Sequence, residues 1–421
     1  MLRGAIAAVL LGGVIAGAVA IAPLHYVLLG AVGLVAACVV LAAPGFGALA
    51  LGVSLPAIED LTGGHLGGVH VAASDLLLVL IGVRLLADGV VRRGFPALGV
   101  TRRVGFPLLQ YAWLIAILLC FHLGLGSALK SVQRLELFAL PVLVGAYLTV
   151  RGYHMRLLRG YVVACTLLAV IWPILNSHHL AGELQKNPVG GFIASAIILV
   201  LGVRSLRRFF WCVPVLLVGL ALTASRGAVL ALAVGMIVLV LVQAGGSRRS
   251  VVIAEVLALL VIGVGVYLVL PASITSRLTN YNANFNSKSS IALLYREDYA
   301  QQAEKIIAAH PWTGVGVGDY IAGSARLLTQ TSDPHDVVLL EAAEGGYVFL
   351  ASFIVLILGS AYAMWRARRV ELAAAAAAVL LATVAHGLVD VYWARGTPVL
   401  GWLLVGMVCA LALPGRAEAL Q

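Results

Sequence analysis

Two arginines and one histidine stand out as residue types able to do chemistry together. Arg226 lies in TASRGAVLAL, Arg296 in LLYREDYAQQAEKIIAAH and His335 in SDPHDVVLLEAAEGG. A guanidinium is always charged and presents a planar fork of donors, so two of them suit a diphosphate. Histidine accepts a proton near neutral pH. Together they describe an acceptor hydroxyl activated by a base, with a diphosphate leaving group held by arginines. Each also has a plain structural reading. An arginine at the rim of an apolar run snorkels toward water, and a lone histidine there is an interfacial polar residue.

The neighbouring residues add detail. Ser225 is placed to cap a helix that starts at Arg226, and a helix N-terminus beside an arginine is an anion site. Helical spacing puts Arg296, Tyr299, Ala303 and Ile306 on one largely apolar face, which turns Arg296 toward protein or membrane. Glu297, Asp298 and Glu304 then fall on solvated faces. Glu344 follows His335 in the same apolar run and is a supporting candidate. His386 and Asp390, four apart in AHGLVDVYWARG, are ionisable residues near the end of a span. They are candidates for function, or for a structural His386–Asp390 or Asp390–Arg395 pair. Glu59, Asp60, His65 and His70 match no strong metal motif, and no metal or cofactor is expected. The five cysteines all lie in apolar runs without metal-ligand spacing. GVGVG, Gly314 to Gly318, marks tight turns rather than a nucleotide site.

These residues are positioned by a membrane-bound chain. Hydrophobic residues make up 62% of the sequence and charged residues 11%, against about a quarter charged in soluble domains. Apolar runs suggest roughly fourteen spans of about 20 residues each. They fall at about 4–22, 26–43, 44–57, 73–88, 107–123, 135–150, 160–176, 188–203, 209–223, 227–243, 251–270, 344–364, 371–392 and 397–413. The third is short and flanked by Pro44 and Pro56, so it reads as a re-entrant or broken segment, leaving about twelve full spans. The net charge of +10 lies in short arginine clusters between runs, which argues against nucleic acid. Arg92, Arg93, Arg102 and Arg103 form one cluster, and Arg151, Arg156 and Arg159 another. Arg204, Arg207 and Arg208, then Arg248 and Arg249, then Arg366, Arg368 and Arg369 complete the series. With alternating spans all fall on one side, which the positive-inside rule makes cytoplasmic, together with both termini. Arg226, Arg296 and His335 fall on the other side.

The expected fold is an all-α polytopic transmembrane bundle of about 12–14 spans. Residues 1–270 form N-terminal spans, 271–343 one long outer polar loop with a helix at about 290–309, and 344–421 C-terminal spans. The whole is one integrated membrane domain. Mid-span positions read as almost entirely apolar.

The same segments resemble the O-antigen ligase and polymerase superfamily. TASRGAVLAL is similar to its Ser-Arg-Gly segment at a span start. YREDYAQQAEKIIAAHPWTGVGVGDY is similar to its Arg-helix-His-Pro-x-x-Gly-x-Gly stretch. PHDVVLLEAAEGG is similar to its His-[Asn/Ser/Gln]-x9-Gly motif, with Gly346 in the glycine position. KNPVGGFIASAIIL resembles an Asn-Pro-Asn segment and HGLVDVYW the C-terminal span. The resemblance covers about residues 185–400. Asp336 replaces the usual amide or hydroxyl, and Val189 the second asparagine.

The resemblance implies a GT-C-like bundle in the bacterial inner membrane with an extracytoplasmic active site. It implies transfer of a preassembled glycan from undecaprenyl diphosphate to an acceptor sugar hydroxyl, metal-independent and inverting. Arg226, Arg296 and Ser225 would bind the donor diphosphate, and His335 would activate the acceptor. Partners would be the lipid-linked glycan, membrane lipids and an acceptor glycolipid. That acceptor is lipid A–core for a ligase and a second lipid-linked glycan for a polymerase; the reading leans to ligase. The rivals are a flippase for the same lipid-linked sugars, which should carry polar residues deep in the spans, and a non-catalytic assembly scaffold.

Overall fold

The structure is a computed structural model that describes residues 34–56, 64–66, 69–91, 101–177, 186–243, 288–324, 333–390, 393 and 397–413. The expected spans at about 4–22 and 251–270 lie outside the described residues. So do Glu59, Asp60, Arg395 and the Asn-rich start of the polar stretch.

The apolar runs fold as helices. They are α1 (Pro44–Ser54), α2 (Ala73–Val91), α3 (Thr101–Phe121), α4 (Leu125–Val150), α5 (His154–Ser177), α6 (Lys186–Gly202), α7 (Val213–Thr223) and α8 (Arg226–Val242). After the polar stretch come α9 (Lys288–Ala309), α10 (Tyr320–Ser324), α11 (Val337–Arg366), α12 (Ala373–Gly387) and α13 (Val399–Leu411). Residues 34–42 are also helical, and a 3-10 helix, Arg204–Cys212, leads into α7. The all-α bundle is as expected.

Among the described residues, five segments are long and apolar enough to cross a membrane by length and composition. They are Arg103–Phe121, Leu125–Val150, His154–Leu175, Arg204–Thr223 and Val337–Arg366. α1 has 11 residues and covers only about 16 Å, half a hydrocarbon core; it packs on α5 as a partial segment. Two short strands, Gly64–Leu66 and Val69–Val71, add an antiparallel hairpin that the all-helical reading missed. Its register pairs Gly64 with Val71, His65 with His70 and Leu66 with Val69.

The core sits where helices are apolar all round. α6 is buried from Val189 to Gly202 and packs against α5, α7, α8 and α12. α12 and α13 are buried along nearly their whole length. α13 lies tight on α4, where a Cβ at Gly145 would collide with the Leu403 carbonyl and one at Gly406 with the Val142 carbonyl. Small residues at such a crossing let backbones touch, which drives association where lipid is as apolar as leucine.

The bundle has two unlike ends. At one, Arg103 Nη2 donates to the Ala412 carbonyl at 2.7 Å and the Ser205 amide to Glu371 Oε1 at 3.2 Å. Arg151 and Arg366 lie there too, at the ends of α4 and α11. The opposite end gathers the starts of α4, α8 and α11, the C-terminus of α12, α9 and the turn-rich segment after it.

Candidate functional site

α7 stops at Ala224, whose φ of 50° is left-handed, and Ser225 opens α8 in extended conformation. The Ala228 amide donates to Ser225 Oγ at 3.3 Å, and the Ser225 amide to Thr223 Oγ1 at 3.2 Å. Ser225 is thus the N-cap its position suggested. It is buried, and its hydroxyl is engaged by the cap. Arg226 is exposed at the first helical position. Gly227 follows because a Cβ there would sit 2.5 Å from His386 Cδ2. In Ser-Arg-Gly, the serine caps, the arginine is presented at the helix start, and the glycine admits the imidazole of α12.

Arg296 lies on α9 with its side chain 42% exposed, and its Nη2 donates to Asp390 Oδ2 at 3.1 Å. Asp390 follows the C-terminus of α12, one turn after the fully buried His386. One turn further along α9, Tyr299 stacks on the His335 ring at 5.5 Å and 20°. Ala303 and Ile306 continue that face into a core with Leu340, Ala342 and Ala343. Glu297, Asp298 and Glu304 are exposed. The apolar-face reading of α9 therefore holds, with Arg296 turned to a protein carboxylate.

His335 has a left-handed backbone, φ 56°, a strained state for a non-glycine residue. Asp333 stabilises it, because its Oδ1 accepts the His335 amide at 2.9 Å. His335 Nδ1 lies 2.7 Å from the Asp333 carbonyl oxygen. A carbonyl can only accept, so the hydrogen resides on Nδ1. In the neutral ring Nε2 then carries the lone pair. Burial pushes the Asp333 carboxyl up, while the His335 amide, the His335 ring and Arg134 pull it down and Asp390 pushes it up.

Asp336 caps α11, accepting from the amides of Val338 at 2.7 Å and Leu339 at 3.2 Å. A carboxylate fills this N-cap role as well as an amide or hydroxyl, so the departure at Asp336 leaves the cap intact.

Nine residues into α11 the backbone breaks at Gly346, φ 77° and ψ −178°. The segment HPWTGVGVGDY is stitched into the gap. The amides of Val315 and Gly316 donate to the carbonyls of Ala343 and Glu344 at 3.0 and 2.9 Å, and the Tyr347 amide donates to the Pro311 carbonyl at 2.8 Å. Gly314, φ 58°, lies so close to Glu344 that a Cβ would collide with its backbone. The two glycine-containing motifs, separate in sequence, are the two halves of one joint.

The sequence reading missed a buried ionic cluster under this joint. Arg134 of α4 donates from Nη1 to Glu341 Oε1 at 2.7 Å and from Nη2 to Glu344 Oε2 at 2.5 Å. Tyr111 of α3 donates to Glu341 Oε2 at 2.7 Å. Nearby, Lys130 meets Asp319 at 2.5 Å and Ser127 donates to the same carboxylate at 2.7 Å. Glu341 is fully buried and Glu344 nearly so, both in the piece of α11 before Gly346 and not in the middle of the apolar span. Glu344 stood out in the sequence as a supporting candidate; Glu341 and the link to Arg134 did not, because two glutamates in a long apolar helix leave its mean hydropathy high.

A cleft lined by Asp333, Asp336, Val337, Leu340, Gly387, Asp390 and Trp393 lies between the His335 turn and the end of α12. Around it, His335 is joined to Arg296 through Tyr299, and Arg296 to α12 through Asp390. Arg226 is joined to the same helix through Gly227 and His386. No curated protein matches the chain. Residues 211–354 match the family model described as O-antigen ligase. That stretch holds Ser225, Arg226, Arg296, His335 and Glu344, while Arg134, His386 and Asp390 come from helices outside it. Over residues 211–354, about a third of its length, the chain is therefore similar to the O-antigen ligase family.

Proposed function

We propose that this protein transfers a preassembled glycan from a polyprenyl (undecaprenyl) diphosphate donor to a sugar hydroxyl at the outer face of the bacterial inner membrane. The family match supports a ligase- or polymerase-type function. The arginine-rich connections at the far end of the bundle support the sidedness, since the positive-inside rule sets that end in the cytoplasm and this one outside.

The observation that carries the reading is the hydrogen bond from His335 Nδ1 to the Asp333 carbonyl. It leaves Nε2 as a base in a residue stacked one helical turn from Arg296. In the transfer, Nε2 takes the proton of the acceptor hydroxyl. The acceptor oxygen bonds to the anomeric carbon as the bond from that carbon to the diphosphate oxygen breaks. The diphosphate departs with the polyprenyl chain, and its growing negative charge is met by Arg226 and Arg296. Fixed cations in a dehydrated site stabilise such charge without reorganising. Asp390 orients the Arg296 fork, and Ser225 holds Arg226 through its cap. Attack opposite the leaving group inverts the anomeric centre.

A flippase also needs a cationic cavity, and Glu341 and Glu344 lie near the start of α11 beside His335 and not in the middle of a span. Transport alone, however, does not call for a histidine held in one tautomer. Purified protein in nanodiscs, given undecaprenyl-diphosphate-linked glycan with either lipid A–core or a second lipid-linked glycan, should yield product with one of them. That acceptor then distinguishes ligase from polymerase. Product with neither acceptor, alongside donor translocation in vesicles, would replace the transferase by a transporter.

A further inference from the structure

α11 is two pieces, and the shorter one directly follows His335. Residues 337–345 begin immediately after His335 and Asp336, and Gly346 disconnects them from the long second piece. What grips the short piece from the side therefore matters for where it sits. Glu341 and Glu344, three residues apart, project from one face. Arg134 donates to both, and Tyr111 takes the remaining Glu341 oxygen. The Arg134 side chain is 12% exposed and that of Glu341 0%. A planar fork bridging two carboxylates fixes both the rotation and the height of a two-turn helix, which a single ammonium does less well. The charges do not balance. Without Arg134, two carboxylates face each other away from water, an arrangement strongly opposed by desolvation and repulsion.

We infer that Arg134 is a positioning residue for His335, acting through the glutamates of the short α11 piece. The inference rests on the transferase reading above, and Arg134 itself is assigned no contact with substrate.

The test uses the full chain in nanodiscs with undecaprenyl-diphosphate-linked glycan and whichever acceptor the wild type uses. Arg134→Met should lower kcat by about 10- to 100-fold, the scale of a small misplacement of a catalytic group. Donor KM should stay within about threefold, since no binding contact is lost. Amide hydrogen exchange should rise over residues 333–345 and stay unchanged over 347–366. Arg134→Lys should recover part of the kcat. If Arg134→Met does not insert, the triple variant R134M/E341Q/E344Q, which buries no unpaired charge, carries the same measurements. A kcat within about twofold of wild type, a loss confined to donor KM, or unchanged exchange over 333–345 overturns the inference. If the wild type transfers to neither acceptor, the transferase reading fails instead, and the exchange measurement still reports whether Arg134 holds the short helix.

Discussion

The ring and the backbone of His335 are both held by one residue. Asp333 supplies both the carbonyl that accepts from Nδ1 and the carboxylate that stabilises the left-handed backbone. His335→Ala should cut transfer by about 10²- to 10⁴-fold, the usual worth of a general base, with donor KM little changed; activity near wild type would move the base elsewhere. Arg226→Ala and Arg296→Ala should each abolish transfer in protein that still inserts, and full activity in either would discard it as a diphosphate ligand. Asp333 gives a pH signature. Burial raises its folded value above the unfolded one, so the folded chain binds that proton more tightly. Its contribution to stability is full below the ordinary carboxylate range, about 3.9, and is lost as pH rises through the raised value. Asp333→Asn should flatten that part of a Tm-against-pH curve while still accepting the His335 amide. An unchanged slope would assign it to other groups.

At the scale of elements, the joint between the HPWTGVGVGDY segment and α11 is the feature to test. Gly346→Ala puts a side chain on a left-handed backbone and 2.5 Å from Trp312 carbonyl carbon. It should cost about 1–3 kcal/mol or more and reduce transfer, read as thermal stability and kcat together. Native Tm and activity would show that the break is dispensable. Much of this level was legible in the sequence, because its determinants are local. The Ser225 cap, the helix at 288–309 with its apolar face, and the turns at Gly314, Gly316 and Gly318 all follow from residues a few positions apart. The break at Gly346 was masked by the apolar run that continues through it. The Arg134 cluster joins residues some 200 positions apart, which no periodicity can show. The hairpin did have a signal: Gly67-Gly68 between Leu66 and Val69 is a two-residue turn motif, overlooked beside the stronger helical patterns.

At the scale of the whole molecule, sidedness is the claim that organises the rest. In a cysteine-free background, Trp312→Cys should react with an impermeant maleimide in intact cells, and Arg368→Cys only after permeabilisation. Both positions are exposed and lie at opposite ends of the bundle. The reverse pattern would put the site in the cytoplasm and sink the proposed reaction as written. Insertion brings the broken helix into view from another side. Tyr347 to Arg366 is an apolar stretch of the length a bilayer needs, and it can partition into lipid unaided. The piece before Gly346 carries two glutamates, and a carboxylate at the centre of a lone span costs roughly 2.5–3.5 kcal/mol. Its burial depends on Arg134 of α4, which donates to both carboxylates. The glycine therefore divides α11 by what each piece requires: the membrane anchor can sit in lipid by itself, whereas the segment that follows His335 needs the rest of the bundle to hold it.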